Sequence, residues 1–166
     1  MALMFRWLIR LAVFLVTLSV VVLLLVYWFA ARSLPDYDDT VQVQGVTAPV
    51  EIVRDNANVP HIFGETDEDV FYGLGFAHAQ DRLWQLITLR RTAQGRLSEV
   101  FGPATVTTDK LMRRYDIYRL AVAAAGELDP ETDAALEAYS AGINARLDQI
   151  NTEALGRGAP EMWLFN

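Results

Sequence analysis

The chain has 166 residues, no cysteine and a formal net charge of −7, and its length suits one domain of ordinary size. All 21 acidic side chains but only 11 of the 14 basic ones follow residue 32, so this part carries a net charge of −10. A surface of this sign repels nucleic acid, and we expect no nucleic-acid partner. The lack of cysteine excludes a small scaffold held by disulfides.

The N-terminal part contains a long apolar run at residues 11–30, which is 20 residues without a charge. As a helix rising about 1.5 Å per residue, this run spans roughly 30 Å, the thickness of a bilayer core. The alternative is a cleavable signal peptide, whose apolar region is usually about 7–15 residues and ends at small residues. Bulky Tyr27, Trp28 and Phe29 stand at that place. We therefore predict that residues 1–32 form a cytoplasmic stub and an uncleaved transmembrane anchor, which contacts lipid through the apolar run.

The charges on either side of the apolar run predict its orientation. Arg6 and Arg10 precede it, and three aspartates at positions 36, 38 and 39 follow soon after it. By the positive-inside rule the N-terminus stays in the cytoplasm. We expect a single-pass protein of the inner membrane whose body faces the periplasm. Residues 33–40, which are acidic and contain a proline, are typical of a linker to a body at residues 41–166.

Three short extended segments are predicted next. Residues 41–43, 50–53 and 59–63 are rich in β-branched and aromatic side chains. Between the last two segments, Arg54-Asp55-Asn56 has the composition of a turn. Pro60 has no amide proton to donate to a ladder, so the third segment is an edge strand, a strand start or an irregular return.

A long helix is predicted from Asp67 to about Gln94. Thr66 is its expected cap, and the acidic residues that follow suit the positive end of the helix dipole. Apolar side chains cover more than one face, so the helix should be largely buried. Gly73 and Gly75 each cost about 1 kcal/mol of helix propensity relative to Ala, and we expect them to permit close approach of a neighbouring backbone.

Two further helices are predicted in the second half. Gly95 ends or kinks the long helix, and a second helix should run from Thr108 to Ala125. A third begins with Asp129 as cap and Pro130 at the first helical position, and carries one apolar stripe of three- and four-residue steps. The predicted class is therefore α+β, with an N-terminal transmembrane helix followed by short strands and about three helices.

Polar residues inside the long helix are the first candidates for chemistry. Asp81 and Arg82 lie three and four residues after His78 and share its helical face. One hypothesis makes His78 a general base oriented by Asp81. The favoured hypothesis is a buried polar network that pins the helix to a strand, for instance through Arg82 or Arg91 paired with Asp55.

The remaining candidates have weaker signals. His61 and His78 lack the spacing of metal ligands, so no metal site is predicted from them. Arg90, Arg91 and Arg96 form a basic patch. One hypothesis is that the patch holds a substrate carboxylate, but pairing with the abundant acidic residues is favoured.

Several motifs occur together in this order and spacing: Val53-Arg54-Asp55, Val59-Pro60-His61-Ile62, Gly75-Phe76-Ala77-His78-Ala79-Gln80-Asp81-Arg82-Leu83-Trp84-Gln85, Arg90-Arg91, Gly95-Arg96-Leu97-Ser98-Glu99 and Tyr139-Ser140-Ala141-Gly142-Ile143-Asn144-Ala145. With them the chain resembles the penicillin acylase family of N-terminal-nucleophile amidohydrolases over about residues 50–166. The resemblance gives the matched residues a structural role: Arg54, Asp55, Pro60, His61, His78, Gln80, Asp81, Arg82, Arg90, Arg91, Gly95 and Asn144.

The resemblance implies a precursor that is exported and cuts itself into a small α chain and a large β chain. The β chain begins with the nucleophile, usually Ser, and the fold is a four-layer αββα sandwich. This chain is similar to the front part of the α chain, so the sandwich is incomplete here and the β chain of the same precursor is the expected partner. The family's nucleophile, its calcium ligand from the α chain and its acyl-pocket helix all lie beyond the matched motifs.

We therefore expect no catalytic, cofactor or metal residue within this chain, although calcium is possible in the complete enzyme. The chain alone should be inactive on amides and should fold poorly, because an apolar face of the α segment lacks its cover. The apolar ending at residues 162–165 favours a chain that has been cut or that docks on a partner. The alternative is a truncated, non-catalytic, membrane-anchored helical remnant or binding module.

Overall fold

A computed structural model describes residues 2–32 and 35–152 of the chain. The predicted apolar ending at residues 162–165 lies outside these residues. The described part is dominated by helices and has one short two-stranded sheet. Its elements are α1 (Ala2–Arg32), β1 (Glu51–Arg54), β2 (Pro60–Phe63), α2 (Asp67–Ala93), α3 (Ser98–Phe101), a 3₁₀ turn (Gly102–Thr105), α4 (Val106–Tyr115), α5 (Ile117–Ala125) and α6 (Pro130–Thr152).

Helix α1 contains the apolar run. Its segment Met4–Trp28 is 25 residues long and no part of it is buried against the rest of the protein. Arg6 and Arg10 are exposed near its start. Length and composition of this kind fit both a membrane span and an N-terminal signal sequence.

The two strands form an antiparallel hairpin in which Arg54 lies opposite Pro60. Pro60 is the first residue of β2, and β2 is an edge strand of this two-stranded sheet, so the structure shows both the strand start and the edge strand that were predicted. The predicted turn is confirmed, because Oδ1 of Asp55 accepts hydrogen bonds of 2.9 Å from the amides of Ala57 and Val59. This is how an aspartate side chain stabilises a tight turn.

Residues 35–49, which we call the strap, have no regular secondary structure. The strand predicted at residues 41–43 is therefore wrong. Among residues 2–32 and 35–152 no strand pairs with this segment, and its polar groups bind helix α2 instead. The carbonyl oxygen of Gln44 accepts a 3.1 Å hydrogen bond from the Tyr72 hydroxyl, and the amide of Thr47 donates a 2.8 Å hydrogen bond to Asp69.

Helix α2 begins and ends where the sequence predicts. The hydroxyl of Thr66 accepts a 3.1 Å hydrogen bond from the amide of Asp69 and caps the first turn. Gly95, with φ of +64°, follows the last turn in the left-handed conformation that glycine adopts most easily. An unpredicted kink occurs at Arg82, whose φ of −143° and ψ of 23° leave the helical region.

The core lies where α2 packs on α6. A Cβ built on Gly75 would lie 2.0 Å from the carbonyl oxygen of Tyr139, so this glycine permits the backbone approach that we expected. At Gly73 the expectation is wrong in its detail, because side chains of Val50 and Ile62, rather than backbone, fill the space at 2.7 Å. The most buried apolar side chains of the core are Tyr72, Phe76, Ala77, Ala79 and Leu83.

The single helix predicted for residues 108–125 is wrong, because the structure divides this segment into α4 and α5. Asp116, between them, has φ of 55° and ψ of 30°. One residue in this left-handed conformation interrupts the helical hydrogen-bond ladder, and aspartate adopts it more readily than most residues. The start of α6 is confirmed, since the amide of Thr132 donates a 3.0 Å hydrogen bond to the predicted cap Asp129.

Candidate functional site

The motif residues of the hairpin and of α2 meet in one ion pair. The guanidinium of Arg54, at the end of β1, donates to both carboxylate oxygens of Asp81, with distances of 3.1 Å from Nη1 to Oδ2 and 2.9 Å from Nη2 to Oδ1. The Arg54 side chain is 8% exposed and that of Asp81 is 26% exposed. A bidentate pair between a buried guanidinium and a partly exposed carboxylate fixes both distance and orientation. It therefore holds the hairpin against the middle of α2.

Two further side chains complete what we call the motif cluster: Tyr37, Arg54, Gln80 and Asp81. The guanidinium carbon of Arg54 lies 4.0 Å from the centre of the Tyr37 ring, and the Tyr37 hydroxyl donates a 3.2 Å hydrogen bond to Asp81. Oε1 of Gln80 lies 3.4 Å from Nη2 of Arg54. Burial, and then the negative charge of Asp81, raise the pKa of Tyr37, so its hydroxyl stays protonated and continues to donate.

His78 lies on α2 but contacts a different partner. Its Nδ1 is 3.0 Å from the Tyr139 hydroxyl of α6, and the two rings meet edge to face at 5.7 Å. Both oxygens of Asp81 are bound by Arg54, so Asp81 does not orient His78 as the general-base hypothesis requires. The geometry favours a role for His78 in joining the two helices.

The specific pairings suggested for Asp55 are wrong. Its carboxylate binds the amides of its own turn and lies 3.4 Å from Nε2 of His61. Hydrogen bonding lowers the pKa of Asp55, and the hydrogen bond from the Val59 amide contributes most to this shift. Arg91 pairs instead with Glu99 at 2.8 Å, and Arg82 is exposed at the kink.

The basic patch after α2 is mostly neutralised within the chain. Arg96 donates through Nε and Nη2 to the carboxylate of Glu99 at 2.7 and 2.9 Å, and Arg91 binds the same carboxylate. The hydrogen bond from Arg96 is the main cause that lowers the pKa of Glu99. Arg90 is exposed. The pairing favoured from the sequence thus occurs at two of the three arginines.

Sequence reasoning missed a buried carboxylate at Asp109, which is 4% exposed. It accepts hydrogen bonds from the amide of Leu97 at 2.8 Å, from the amide of Ser98 at 2.9 Å and from the Ser98 hydroxyl. Burial by itself raises the pKa of Asp109, but the hydrogen bonds from Ser98 and Leu97 outweigh burial and lower it. No sequence pattern joins Asp109 to a loop eleven residues earlier.

Two more buried charges were also missed. Asp69, which is 1% exposed, accepts from the amide and hydroxyl of Thr47 at 2.8 and 2.6 Å, and the hydroxyl contact is the main cause that lowers its pKa. Arg146 is 2% exposed and its Nη1 donates to Gln149. A signal for Arg146 existed, because it stands within the apolar stripe of its helix. Asn144, which belongs to the motif at residues 139–145, is exposed.

These arrangements join elements of the chain to one another. A groove of about 670 Å³ remains between the strap, β1 and α2, and it is lined by both acidic strap residues and apolar core residues.

Within residues 2–32 and 35–152, no three His, Asp or Glu side chains converge as a metal site would require. The contacts that the structure shows for Arg54, Asp81 and His78 each join one element of the chain to another.

Comparison with known proteins shows extensive similarity. The sequence model of the penicillin amidase family matches residues 49–166. Penicillin acylase 2 proenzyme from Pseudomonas sp. (strain SE83) is 37% identical over 115 residues, which are 69% of this chain and 15% of the relative. Penicillin G acylase from Escherichia coli is 40% identical over 109 residues, which are 64% and 12% of the two proteins. Acyl-homoserine lactone acylase QuiP from Pseudomonas aeruginosa is 33% identical over 138 residues, 80% and 16%.

The chain thus spans less than one fifth of the length of these curated relatives. A solved structure agrees with the sequence matches. Thermostable penicillin G acylase from Alcaligenes faecalis superposes with a TM-score of 0.61 and 31% identity, covering 74% of this chain and 62% of the solved chain. Because the family model covers more than half of the residues, this chain belongs to the penicillin amidase family of amide-cleaving hydrolases.

Proposed function

We propose that this chain is the α-subunit portion of a membrane-anchored, penicillin acylase-like amidohydrolase that cleaves the amide bond of N-acylated substrates. The observation that carries the proposal is the family match over residues 49–166. Relatives are named penicillin acylases and acyl-homoserine lactone acylases. Acylated β-lactams and N-acyl homoserine lactones are therefore the substrate classes to test.

Chain lengths support a precursor that is cut in two. The matched 74% of these 166 residues makes up 62% of the solved Alcaligenes chain, so that chain is about 200 residues long. The matched 64% makes up only 12% of the Escherichia coli relative, which is therefore about 900 residues long. One relative is named a proenzyme. A short N-terminal chain released from a long precursor accounts for all three observations.

In this proposal the reactive groups belong to the β chain of the same precursor. Its N-terminal nucleophile attacks the amide carbonyl, its own α-amino group serves as base, and water hydrolyses the resulting acyl-enzyme. Donors of the β chain stabilise the oxyanion. The present chain contributes the hairpin and the α2–α6 pair to a four-layer αββα sandwich. Calcium in the complete enzyme would take its ligands from outside the described residues.

The localisation forms a separate part of the proposal. Helix α1 anchors the protein in the inner membrane, with the N-terminus in the cytoplasm and the body in the periplasm. The exposed apolar segment Met4–Trp28 and the arginines at its start support this arrangement.

The localisation is tested with a fusion of alkaline phosphatase after residue 40, because this enzyme is active only outside the cytoplasm. Activity in the membrane fraction is expected, with an intact N-terminus by mass spectrometry; soluble, shortened protein would identify a signal peptide instead.

The catalytic proposal is tested by following the reading frame past Asn166 and expressing its whole product. We expect several hundred further codons, two polypeptides after maturation, and hydrolysis of a penicillin or an N-acyl homoserine lactone. The 166-residue chain, purified in the same way, should release no product. A stop codon directly after Asn166 would favour the non-catalytic remnant, and amide hydrolysis by the short chain would refute the assignment of catalysis to the β chain.

A further inference from the structure

Helix α5 presents an apolar surface to solvent. All nine residues of Ile117–Ala125 are exposed, and α4 adds two large exposed side chains just before it. The large exposed side chains of the two helices, which we call the apolar patch, are Leu111, Tyr115, Ile117, Tyr118, Leu120 and Val122. Because a helix of nine residues is marginally stable in water by itself, α5 gains stability from any contact that covers this patch.

The side chains of α5 divide into two faces. With 3.6 residues per turn, its four large apolar side chains fall within about 200° of arc around the helix axis, and Arg119, its one charged residue, lies on the opposite side. Arg119 binds the carboxylate of Asp116, which directly precedes the helix. An apolar face opposite a charged one is the pattern of a helix that lies flat in a membrane interface.

Charge separates this segment from the rest of the body. Residues 106–125 contain four basic and two acidic side chains, a net charge of +2, whereas residues 33–105 and 126–166 contain seven basic and nineteen acidic ones, a net charge of −12. One of the two acids, Asp109, is buried and bound by backbone amides. Lys110 and Arg114 are exposed on α4 and adjoin Leu111 and Tyr115 in sequence. Positive charge therefore accompanies the apolar patch in a body that is otherwise strongly acidic.

We propose that α4 and α5 dock on the surface of an anionic lipid bilayer, with the apolar patch below the headgroups and Lys110 and Arg114 among them. Tyrosine is favoured at this depth, because its ring is apolar and its hydroxyl is polar, and the patch contains Tyr115 and Tyr118. The inference rests on the proposed membrane anchor. Helix α1 holds the body at the bilayer, which raises the effective concentration of the patch at the lipid surface.

Charge favours lipid over a second copy of the chain as the occupant. In a symmetric contact between two copies the same surface meets itself, so Lys110 and Arg114 of one copy would approach those of the other. Anionic headgroups complement these side chains instead, and each Lys or Arg near such a surface raises the binding constant about fivefold. Cover by the β chain is the competing outcome that the experiments must separate.

Hydrogen exchange of the complete enzyme measures the contact. The enzyme is inserted in nanodiscs of phosphatidylcholine alone or of an equal mixture with phosphatidylglycerol. Amides of residues 117–125 should exchange about tenfold more slowly in the anionic nanodiscs, and salt at about 0.5 M should remove the difference. Equal exchange in the two nanodiscs overturns the proposal, and slow exchange at the same rate in both assigns the cover to the β chain.

Substitutions within the patch provide the second comparison. Leu120→Glu puts a charge on the apolar face and should abolish the slow exchange in anionic nanodiscs. Leu136→Glu, the matched control, makes the same change on α6, where Leu136 is 49% exposed against 56% for Leu120, and should retain it. Replacement of both Lys110 and Arg114 by Gln should reduce the difference between the nanodiscs to about twofold or less. Protection of α2 amides in the same experiment verifies the fold, and unchanged slow exchange in the folded variants overturns the docking.

Flotation with vesicles distinguishes failure of the anchor from failure of the docking surface. An enzyme held by α1 floats with phosphatidylcholine vesicles, and one that does not float refutes the proposed anchor. That soluble enzyme is then mixed with phosphatidylglycerol vesicles. Binding that Leu120→Glu weakens about tenfold or more supports the docking surface without the anchor, and absence of binding overturns it.

Discussion

Gly75 of α2 lies directly against the carbonyl oxygen of Tyr139 of α6, with space for a hydrogen atom and for nothing larger. A Cβ built on Gly75 would be 2.0 Å from that oxygen. The relationship is reciprocal, since a Cβ on Gly142 of α6 would be 2.0 Å from the carbonyl oxygen of Tyr72 in α2. The two helices therefore cross backbone to backbone, and both glycines belong to the motifs that mark the family.

Gly75→Ala should strongly destabilise the body, because a methyl group forces two backbones apart and disrupts the packing of α2 on α6. Overpacking of this kind costs about 3 kcal/mol. The measurement is the urea midpoint of protease resistance, taken on the complete enzyme in mild detergent. Gly126→Ala is the matched control: its nearest neighbour is an ordinary contact at 3.5 Å, and a change within about 1 kcal/mol is expected. Equal midpoints for the two variants would contradict this account.

The hairpin should depend on the shape of Arg54 as well as on its charge. Lysine in its place keeps the charge but loses the two parallel hydrogen bonds to Asp81 and the stacking on Tyr37. We expect Arg54→Lys to lower the free energy of unfolding by about 2 kcal/mol. Arg114→Lys, at an exposed position of α4, should change it by less than about 0.5 kcal/mol. If Arg54→Lys left the free energy of unfolding unchanged, charge alone would be enough to join the hairpin to α2.

Acid should open the loop around Leu97 before it opens the rest of the body. Hydrogen bonds hold the pKa of Asp109 below its ordinary value of 3.8. A lowered pKa in the folded state contributes stability that is present above the ordinary value and is lost as the pH falls through the lower, folded value. Amide protection at Leu97 and Ser98, measured by hydrogen exchange, should therefore decrease as the pH falls from 3.8 through the lower pKa of the folded state.

Asp109→Asn provides the internal comparison for this pH effect. It has no carboxylate to protonate, so the two amides should be less protected at neutral pH and should not change further as the pH falls through that window. Asp133→Asn, at an exposed position of α6, should leave the behaviour of the parent chain intact. Acid opening that persists unchanged in Asp109→Asn would assign the effect to another group.

The predictions from sequence succeeded where local chemistry sets the structure. Thr66 and Asp129 were identified as caps, Gly95 as the end of α2 and Asp55 as a turn residue, because each acts on backbone groups within a few residues. The long-range pairings were not predictable in the same way. The sequence spacing does not indicate that Arg54 binds Asp81, and it equally allowed a pair between Asp55 and Arg91. Which residues pair depends on how the hairpin lies on α2.

Conformational detail that opposes local preference was also missed. The apolar and helix-forming residues between 108 and 125 predict one helix, yet the left-handed backbone at Asp116 divides it. The kink at Arg82 lies inside a segment with a strong helical pattern. No proline or glycine stands at either position, so the sequence pattern alone does not reveal these breaks.

His78 is expected to act on stability and not on the chemical step. In the complete enzyme, His78→Gln should leave kcat within about threefold, because the ring contacts Tyr139 and Asp81 is occupied by Arg54. Loss of the hydrogen bond should lower the free energy of unfolding by about 1 kcal/mol. Tyr139→Phe, which removes the same hydrogen bond from the other side, should give a similar loss and unchanged kcat. Removal of a true general base slows catalysis by about 10²–10⁴-fold, so a decrease of that size with unaltered stability would restore the catalytic hypothesis for His78.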